Sequence, residues 1–208
     1  MKKVAPLNNL SHEDWLKLRN LGIGGSDVGA ILGYDEYKNN VQLWKHKKGI
    51  EKIAFKGNAA TERGHQSEDP IARLWEAFNL ERVRLIKPEY SYCHSEYEFM
   101  RANFDYFGVV DGENCIIEIK SAEPQNMKEW KDGIPYSYYC QCLHYLAVSG
   151  LETCYLIAAI RLRMSNDIVL KEYRIKRDED EINYIIKKEV EFWESLKSDV
   201  PPFLIKNI

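Results

Sequence analysis

The stretch Asp105-Tyr-Phe-Gly-Val-Val-Asp-Gly-Glu-Asn-Cys-Ile-Ile-Glu-Ile-Lys120 decides how this chain is read. Two β-rich runs, Tyr106 to Val110 and Cys115 to Lys120, flank Asp111-Gly112-Glu113-Asn114. An Asp-Gly pair between such runs is a strong hairpin signal. Side chains alternate along the second run, so Glu118 and Lys120 share one face while Ile117 and Ile119 take the other. Asp105 lies near the start of the first strand, and the hairpin folds that strand back beside Glu118. Two carboxylates and one ammonium therefore meet at one end of the hairpin.

Such a trio suits phosphodiester hydrolysis. Magnesium takes oxygen ligands, often one or two carboxylates with water and substrate phosphate. The metal activates a water and offsets charge on the phosphoryl group. A lysine beside it positions or deprotonates that water, or stabilises the oxyanion. Burial next to a metal would lower the lysine pKa toward that of a base. Glu-x-Lys on a strand is also a common solvent-face ion pair, so the rest of the chain has to decide between the two readings.

Outward from the hairpin, short segments with clear boundaries follow one another. Ser11 opens a short helix with Asp14 three residues on, in the manner of a capping box. Ser26 or Asp27 caps a helix that stops at Gly33, and Asn39 or Asn40 starts another that ends near Gly49. A longer helix covers 58–78, with a kink or break expected near Pro70 and Ile71, Leu74, Trp75 and Phe78 at helical spacing. Val83 to Ile86 and Tyr97 to Arg101 read as strands that precede the hairpin. A short helix is expected over 127–130. Pro135 opens a helix to Ser149 that Gly150 closes. Cys154 to Leu162 and Ile168 to Ile175 read as strands, and Asp178 caps a last amphipathic helix. The order predicts one α/β domain over residues 1–208, with a mixed central sheet and helices on both faces.

Composition sets outer limits. The chain has 208 residues, 45% hydrophobic and 29% charged, an ordinary globular balance. No apolar run approaches the ~20 residues of a membrane span, and the first residues lack the apolar core of a secretory signal. The five cysteines include no Cys-x-x-Cys pair, so buried reduced thiols in a cytoplasmic protein are expected rather than a metal cluster. The net charge of −3 argues mildly against a nucleic-acid partner, although basic residues can still gather on one face.

Arg19, then Gly22-Ile-Gly-Gly-Ser-Asp-Val-Gly-Ala-Ile-Leu-Gly33, Gln42-Leu-Trp44, Gly64-x-x-x-Glu68, Asp105…Glu118-Ile-Lys120 and Tyr138-x-x-Gln141 occur in this order. In that order and spacing the chain resembles the YqaJ-type viral recombinases, relatives of lambda exonuclease in the PD-(D/E)xK nuclease superfamily, over about residues 15–160. The resemblance implies a restriction-endonuclease-like core. It implies a magnesium-dependent 5′-to-3′ exonuclease on linear double-stranded DNA, with manganese as a substitute. It would produce 3′ single-stranded tails for a phage annealing protein inside the bacterial host, and a toroidal homotrimer is the family precedent.

By the same resemblance Asp105, Glu118 and the main-chain carbonyl of Ile119 would bind metal, with Glu68 beside them. Lys120 would be the catalytic lysine, Gln141 and Tyr138 would line the site, and Arg19 and Ser26 would hold the 5′-terminal phosphate. A helix N-terminus is chemically suited to that last task. The family usually has Pro-Asp-Gly around its first metal-binding Asp, whereas this chain reads Phe104-Asp105-Tyr106 and places Asp-Gly at 111–112. Asp111 is therefore the alternative ligand, although Asp-Gly already has a sufficient role as a turn. An endonuclease of the same fold, or a DNA-binding protein without catalysis, remains the competing expectation. Tyr136, Tyr138, Tyr139 and Trp130 are candidates to stack on bases, with core packing expected for at least half of them.

Overall fold

The computed structural model describes residues 1–8, 11–51, 59–122, 130, 133–162 and 167–206. Its centre is the hairpin. Strand β6 (Tyr106–Val110) pairs antiparallel with β7 (Glu113–Ala122), Tyr106 opposite Ile117 and Val110 opposite Glu113. Asp111 and Gly112 turn the corner with φ of 51° and 83°, left-handed values that Gly and Asp tolerate best. The sheet is completed by β3 (Val83–Ile86), β8 (Thr153–Arg161) and β9 (Ile168–Lys176), in the order β3-β6-β7-β8-β9. Only the β7–β8 pairing is parallel, so the sheet is mixed.

Central strands buried on both faces should read as nearly continuous apolar runs, and β8 (TCYLIAAIR) does. The alternation in β7 sorts its side chains between two cores. Ile117 and Ile119 pack with Ile71, Ala72 and Trp75 of helix α4 (Ala59–Ala77) on one face. Ile116 and Ala122 pack on the other with Cys142, Leu143 and Leu146 of helix α5 (Tyr136–Ser149) and Ile182 and Ile185 of helix α6 (Glu179–Lys197). Glu118 and Lys120 fall in the same alternation as Ile116, so they face α5. The α/β class with a mixed sheet between helices is as expected, and so are the Gly150 and Asp178 caps.

Several details differ from the sequence reading. The long helix is not broken at Pro70: it runs from Ala59 to Ala77, with Ile71, Ala72 and Trp75 beyond the proline anchored on the sheet. Leu74 and Phe78 do not join that face and are exposed. A second sheet, β1 (Lys2–Pro6), β4 (Tyr90–Cys93), β5 (Met100–Ala102) and β2 (Ile23–Gly24), was not expected. The strand expected from Tyr97 begins only at Met100, because the Met100 N–H closes a turn onto the Tyr97 carbonyl at 2.8 Å. Apart from Trp130, the helix expected over 127–130 lies outside the described residues. All five cysteines are buried free thiols, as expected, and burial pushes Cys115 and Cys140 up to about 12. Among the described residues no helix is long and apolar enough to cross a membrane.

The small sheet matters because of what it carries. Strand β2 leads directly into helix α2 (Gly25–Leu32), and Gly24 pairs with Arg101 of β5. The N-cap of α2 is Gly24, not Ser26 or Asp27. Asp27 instead reaches back from the first turn, its Oδ2 accepting from the Gly24 N–H at 3.1 Å. A Cβ at Gly25 would stand 2.8 Å from the Tyr145 ring and 2.9 Å from Gln141 Cγ. Glycine there lets the start of α2 press directly onto α5.

Candidate functional site

A cleft of about 600 Å³ opens where the mouth of the β6–β7 hairpin, α5, α4 and the start of α2 converge. Asp105, Glu118, Lys120, Glu68 and Gln141 line it, and so do Arg19 and Ser26. Asp105 precedes β6, and its Oδ2 accepts from the backbone N–H of Ile119 at 2.8 Å. The Lys120 ammonium donates to Glu118 Oε1 at 2.5 Å, and the Gln141 amide donates to the same oxygen at 2.7 Å. The other Glu118 oxygen, Oε2, is buried with no hydrogen-bond partner among the described residues. Asp105 is close enough to share a proton with Glu118, but once both are ionised neither can donate to the other. Gln141 also donates to the Tyr145 hydroxyl at 3.2 Å, and that hydroxyl donates to the Asn103 carbonyl at 3.1 Å. Tyr138 lies under the lysine, with Nζ 4.9 Å from the ring centroid.

The electrostatics are those of crowded carboxylates. Desolvation by the surrounding protein, then Glu118 and Glu68, push the Asp105 carboxyl well above the usual range. Burial also raises Glu118, against the opposing pull of Lys120. For Lys120 burial acts downward, but Glu118 and Asp105 outweigh it and the ammonium is held protonated. In the absence of an ion, the two carboxylates that face the lysine decide its protonation. Asp111, the alternative first carboxylate, sits exposed at the opposite end of the hairpin, 3.6 Å from Arg82. It does not reach the cleft.

Arg19, in helix α1 (His12–Asn20), donates to the hydroxyl of Ser26 in the first turn of α2. This puts a guanidinium, a hydroxyl and the start of a helix on the cleft wall near the carboxylates. The aromatic candidates divide. Trp130 is buried and packs on Tyr138 and Tyr173, and Tyr139 donates to Glu181 at 2.6 Å. Tyr136 is exposed and stacks on Tyr34.

Sequence reasoning missed Tyr145, the link between Gln141 and the Asn103 backbone. It also missed the partners of the buried Asp27, namely Lys47 at 2.8 Å and Lys38 at 3.1 Å. The available signal was an Asp inside a Gly-rich turn followed by a lysine-rich helix α3 (Asn40–Lys47).

The site residues fit a magnesium ion by their chemistry. They offer hard oxygen donors, and a buried carboxylate oxygen without a partner is costly until a cation or proton meets it. Among the described residues no three His, Cys, Asp or Glu side chains stand close enough together to hold a metal ion by themselves. An ion that keeps waters and takes substrate phosphate does not require three such side chains.

Residues 14–152 match the YqaJ-like viral recombinase domain. The chain belongs to that family. The uncharacterized protein YqaJ of Bacillus subtilis (strain 168) is 37% identical to this recombinase-family chain over 191 residues, 91% of the chain. The chain spans only 58% of the length of that curated relative. An alkaline exonuclease from Laribacter hongkongensis superposes with a TM-score of 0.70 at 21% identity, covering 90% of this chain and 93% of that one. A phage-related exonuclease from Haemophilus somnus 129PT gives a TM-score of 0.61 at 16% identity over 89% and 99% of the two chains. At these identities the likeness is one of fold.

Proposed function

We propose that this recombinase-family chain is a magnesium-dependent 5′-to-3′ exonuclease that digests linear double-stranded DNA and leaves 3′ single-stranded tails. The observation that carries this reading is the Glu118 carboxylate. One oxygen is fixed by Lys120 and Gln141, while the other is buried and, with Asp105 ionised, has no hydrogen-bond donor among the described residues. A surface ion pair would leave its second oxygen in water.

In this reading Asp105, Glu118 and the Ile119 carbonyl hold magnesium, or manganese in its place, with Glu68 beside them. The ion supplies a water of lowered pKa and offsets charge on the scissile phosphate. Lys120 orients the attacking water and faces the charge that develops on phosphate oxygen. Gln141 fixes the Glu118 rotamer, and Tyr138 supports Lys120 from below. Arg19, Ser26 and the first N–H groups of α2 receive the 5′-terminal phosphate, which selects strand ends and polarity. The Laribacter hongkongensis alkaline exonuclease has been crystallised with dAMP, a mononucleotide of the kind such a step releases. Action inside a bacterial host, partnership with a single-strand annealing protein and assembly as a homotrimer belong to the same reading.

The test is digestion of linear and covalently closed duplex DNA, with magnesium or EDTA, following 5′- and 3′-labelled strands. The expected result is magnesium-dependent loss of the 5′ strand with circles intact. Cut circles would replace this reading with an endonuclease. Tight binding without cutting would replace it with a non-catalytic DNA-binding protein.

A further inference from the structure

We propose that the buried ion pair Asp27–Lys47 is a positioning element of the DNA-end site, locking the Gly22–Ser26 turn so that Arg19 and the start of α2 address one terminal phosphate. The inference rests on the phosphate role given above to Arg19 and Ser26, and adds what holds them in register.

The two side chains are 5% and 3% exposed, and their charges stand 2.8 Å apart. Each works on a different side of the turn. Asp27 Oδ2 accepts from the Gly24 N–H at 3.1 Å, on the downstream side. The Lys47 ammonium donates to the Gly22 carbonyl at 2.7 Å and the Arg19 carbonyl at 3.4 Å, on the upstream side. A lysine has three N–H donors, and these three acceptors use all of them. Lys38 completes the network at 3.1 Å from Asp27 Oδ1. Burial opposes ionisation of Asp27, but Lys47, Lys38 and Arg19 outweigh it and hold the carboxyl far below its usual range.

The rest of the turn is equally confined. The Ile23 N–H donates to the Phe99 carbonyl at 2.7 Å, and a Cβ at Gly22 would stand 2.2 Å from that same oxygen. Phe99, just ahead of β5, therefore fixes one edge and the ion pair fixes the other. A buried pair is often no more stabilising than apolar residues of the same size. Its distinctive contribution here is geometric, because it acts on the backbone of the residues that flank the cleft. Lys47 alone already neutralises Asp27, so the anion site keeps the positive charge of Arg19.

The experiment measures affinity in EDTA for a duplex with one open end, carrying either a 5′-phosphate or a 5′-hydroxyl. Lys47→Met should lower the phosphate-to-hydroxyl affinity ratio by about ten-fold, the effect of misplacing one charge-assisted contact. Lys38→Met removes a charge from Asp27 without touching the turn carbonyls and should keep the ratio. Asp27→Asn preserves shape and the Gly24 contact but breaks the ion pair, and should repeat the Lys47→Met result if that variant fails to fold. A folded Lys47→Met or Asp27→Asn with the wild-type ratio overturns the inference. So does an equal fall in Lys38→Met, which would point to diffuse charge. A wild-type ratio of one would instead remove the phosphate role of Arg19 and Ser26, and this inference with it.

Discussion

Asp105 Oδ2 and the backbone N–H of Ile119 are joined by a 2.8 Å hydrogen bond across the mouth of the β6–β7 hairpin. Ile119 lies between Glu118 and Lys120, so this bond ties the first carboxylate to the strand that carries the other two groups. The hairpin alone brings Asp105 near. The bond sets its orientation in the cleft, where it faces the charge of Glu118.

Asp105→Asn tests that arrangement without a change of shape. The asparagine oxygen can still accept from Ile119, while repulsion with Glu118 disappears. The folded-state pKa of Asp105 is raised, so its ionisation costs stability as pH rises above the unfolded carboxylate value. At neutral pH and without metal, the variant should melt on the order of 3 °C higher than wild type, about the shift 1 kcal/mol makes in a domain of this size. Magnesium should raise the wild-type melting temperature and leave the variant's unmoved. A variant that melts below wild type in EDTA would contradict the repulsion argument.

Lys120→Ala removes the ammonium that engages Glu118 Oε1 and leaves Gln141 on that oxygen. The protein should fold and bind DNA, while single-turnover cleavage falls by about 10³-fold, typical of losing one preorganised electrostatic group. Circular dichroism and binding in EDTA serve as controls. Cleavage above a tenth of wild type would sink the role assigned to the lysine.

The hairpin, the sharing of a face by Glu118 and Lys120, and the caps at Gly150 and Asp178 were legible because each is written within a few consecutive residues. The small sheet was not. Strand β2 has two residues and β1 ends at a proline, so neither offers a period to read. Tyr97 to Phe99 look like strand residues, but the His94 imidazole accepts from the Glu96 and Tyr97 N–H groups and holds a turn there. The burial of Asp27 was only faintly marked, for a different reason. Its partner Lys47 is twenty positions away, in a helix whose sequence otherwise reads as a solvated basic face. Tyr145 shows the same limit. Its role depends on Asn103, which only the packing of α5 over the small sheet brings within reach.

Arg19→Ala should reduce the preference for 5′-phosphorylated over 5′-hydroxyl ends by about ten-fold, since a bidentate guanidinium contact is among the stronger ones to phosphate. Ser26 would keep the helix N-terminus but lose its charged neighbour. Initial digestion rates on the two ends give the ratio directly. An unchanged ratio would remove Arg19 from the phosphate site while leaving the metal-site assignments intact.

The last prediction concerns pH and a pair outside the cleft. His144 and Glu189 are wholly buried, with Nδ1 2.8 Å from Oε1, while Nε2 donates to the Arg101 carbonyl at 2.8 Å. Because a carbonyl only accepts, Nε2 carries a proton, and the Nδ1–carboxylate contact requires a second one shared between the partners. Burial acts to lower His144, but Glu189 outweighs it and raises the imidazole, while burial raises Glu189 itself. Both folded-state values lie above the unfolded ones. The stability this pair contributes is therefore fully present at low pH and is lost as pH rises through the raised imidazole value. Wild-type melting temperature should fall from about pH 6.5 upward, where an ordinary histidine has already lost its proton. Glu189→Gln removes the charge that holds the imidazolium. It should cost about 3 kcal/mol near pH 6, as loss of one partner from a buried pair does, and flatten the dependence above it. Melting curves of both proteins from about pH 6 to 9 decide the matter. Parallel curves would show that this pair does not bind the extra proton.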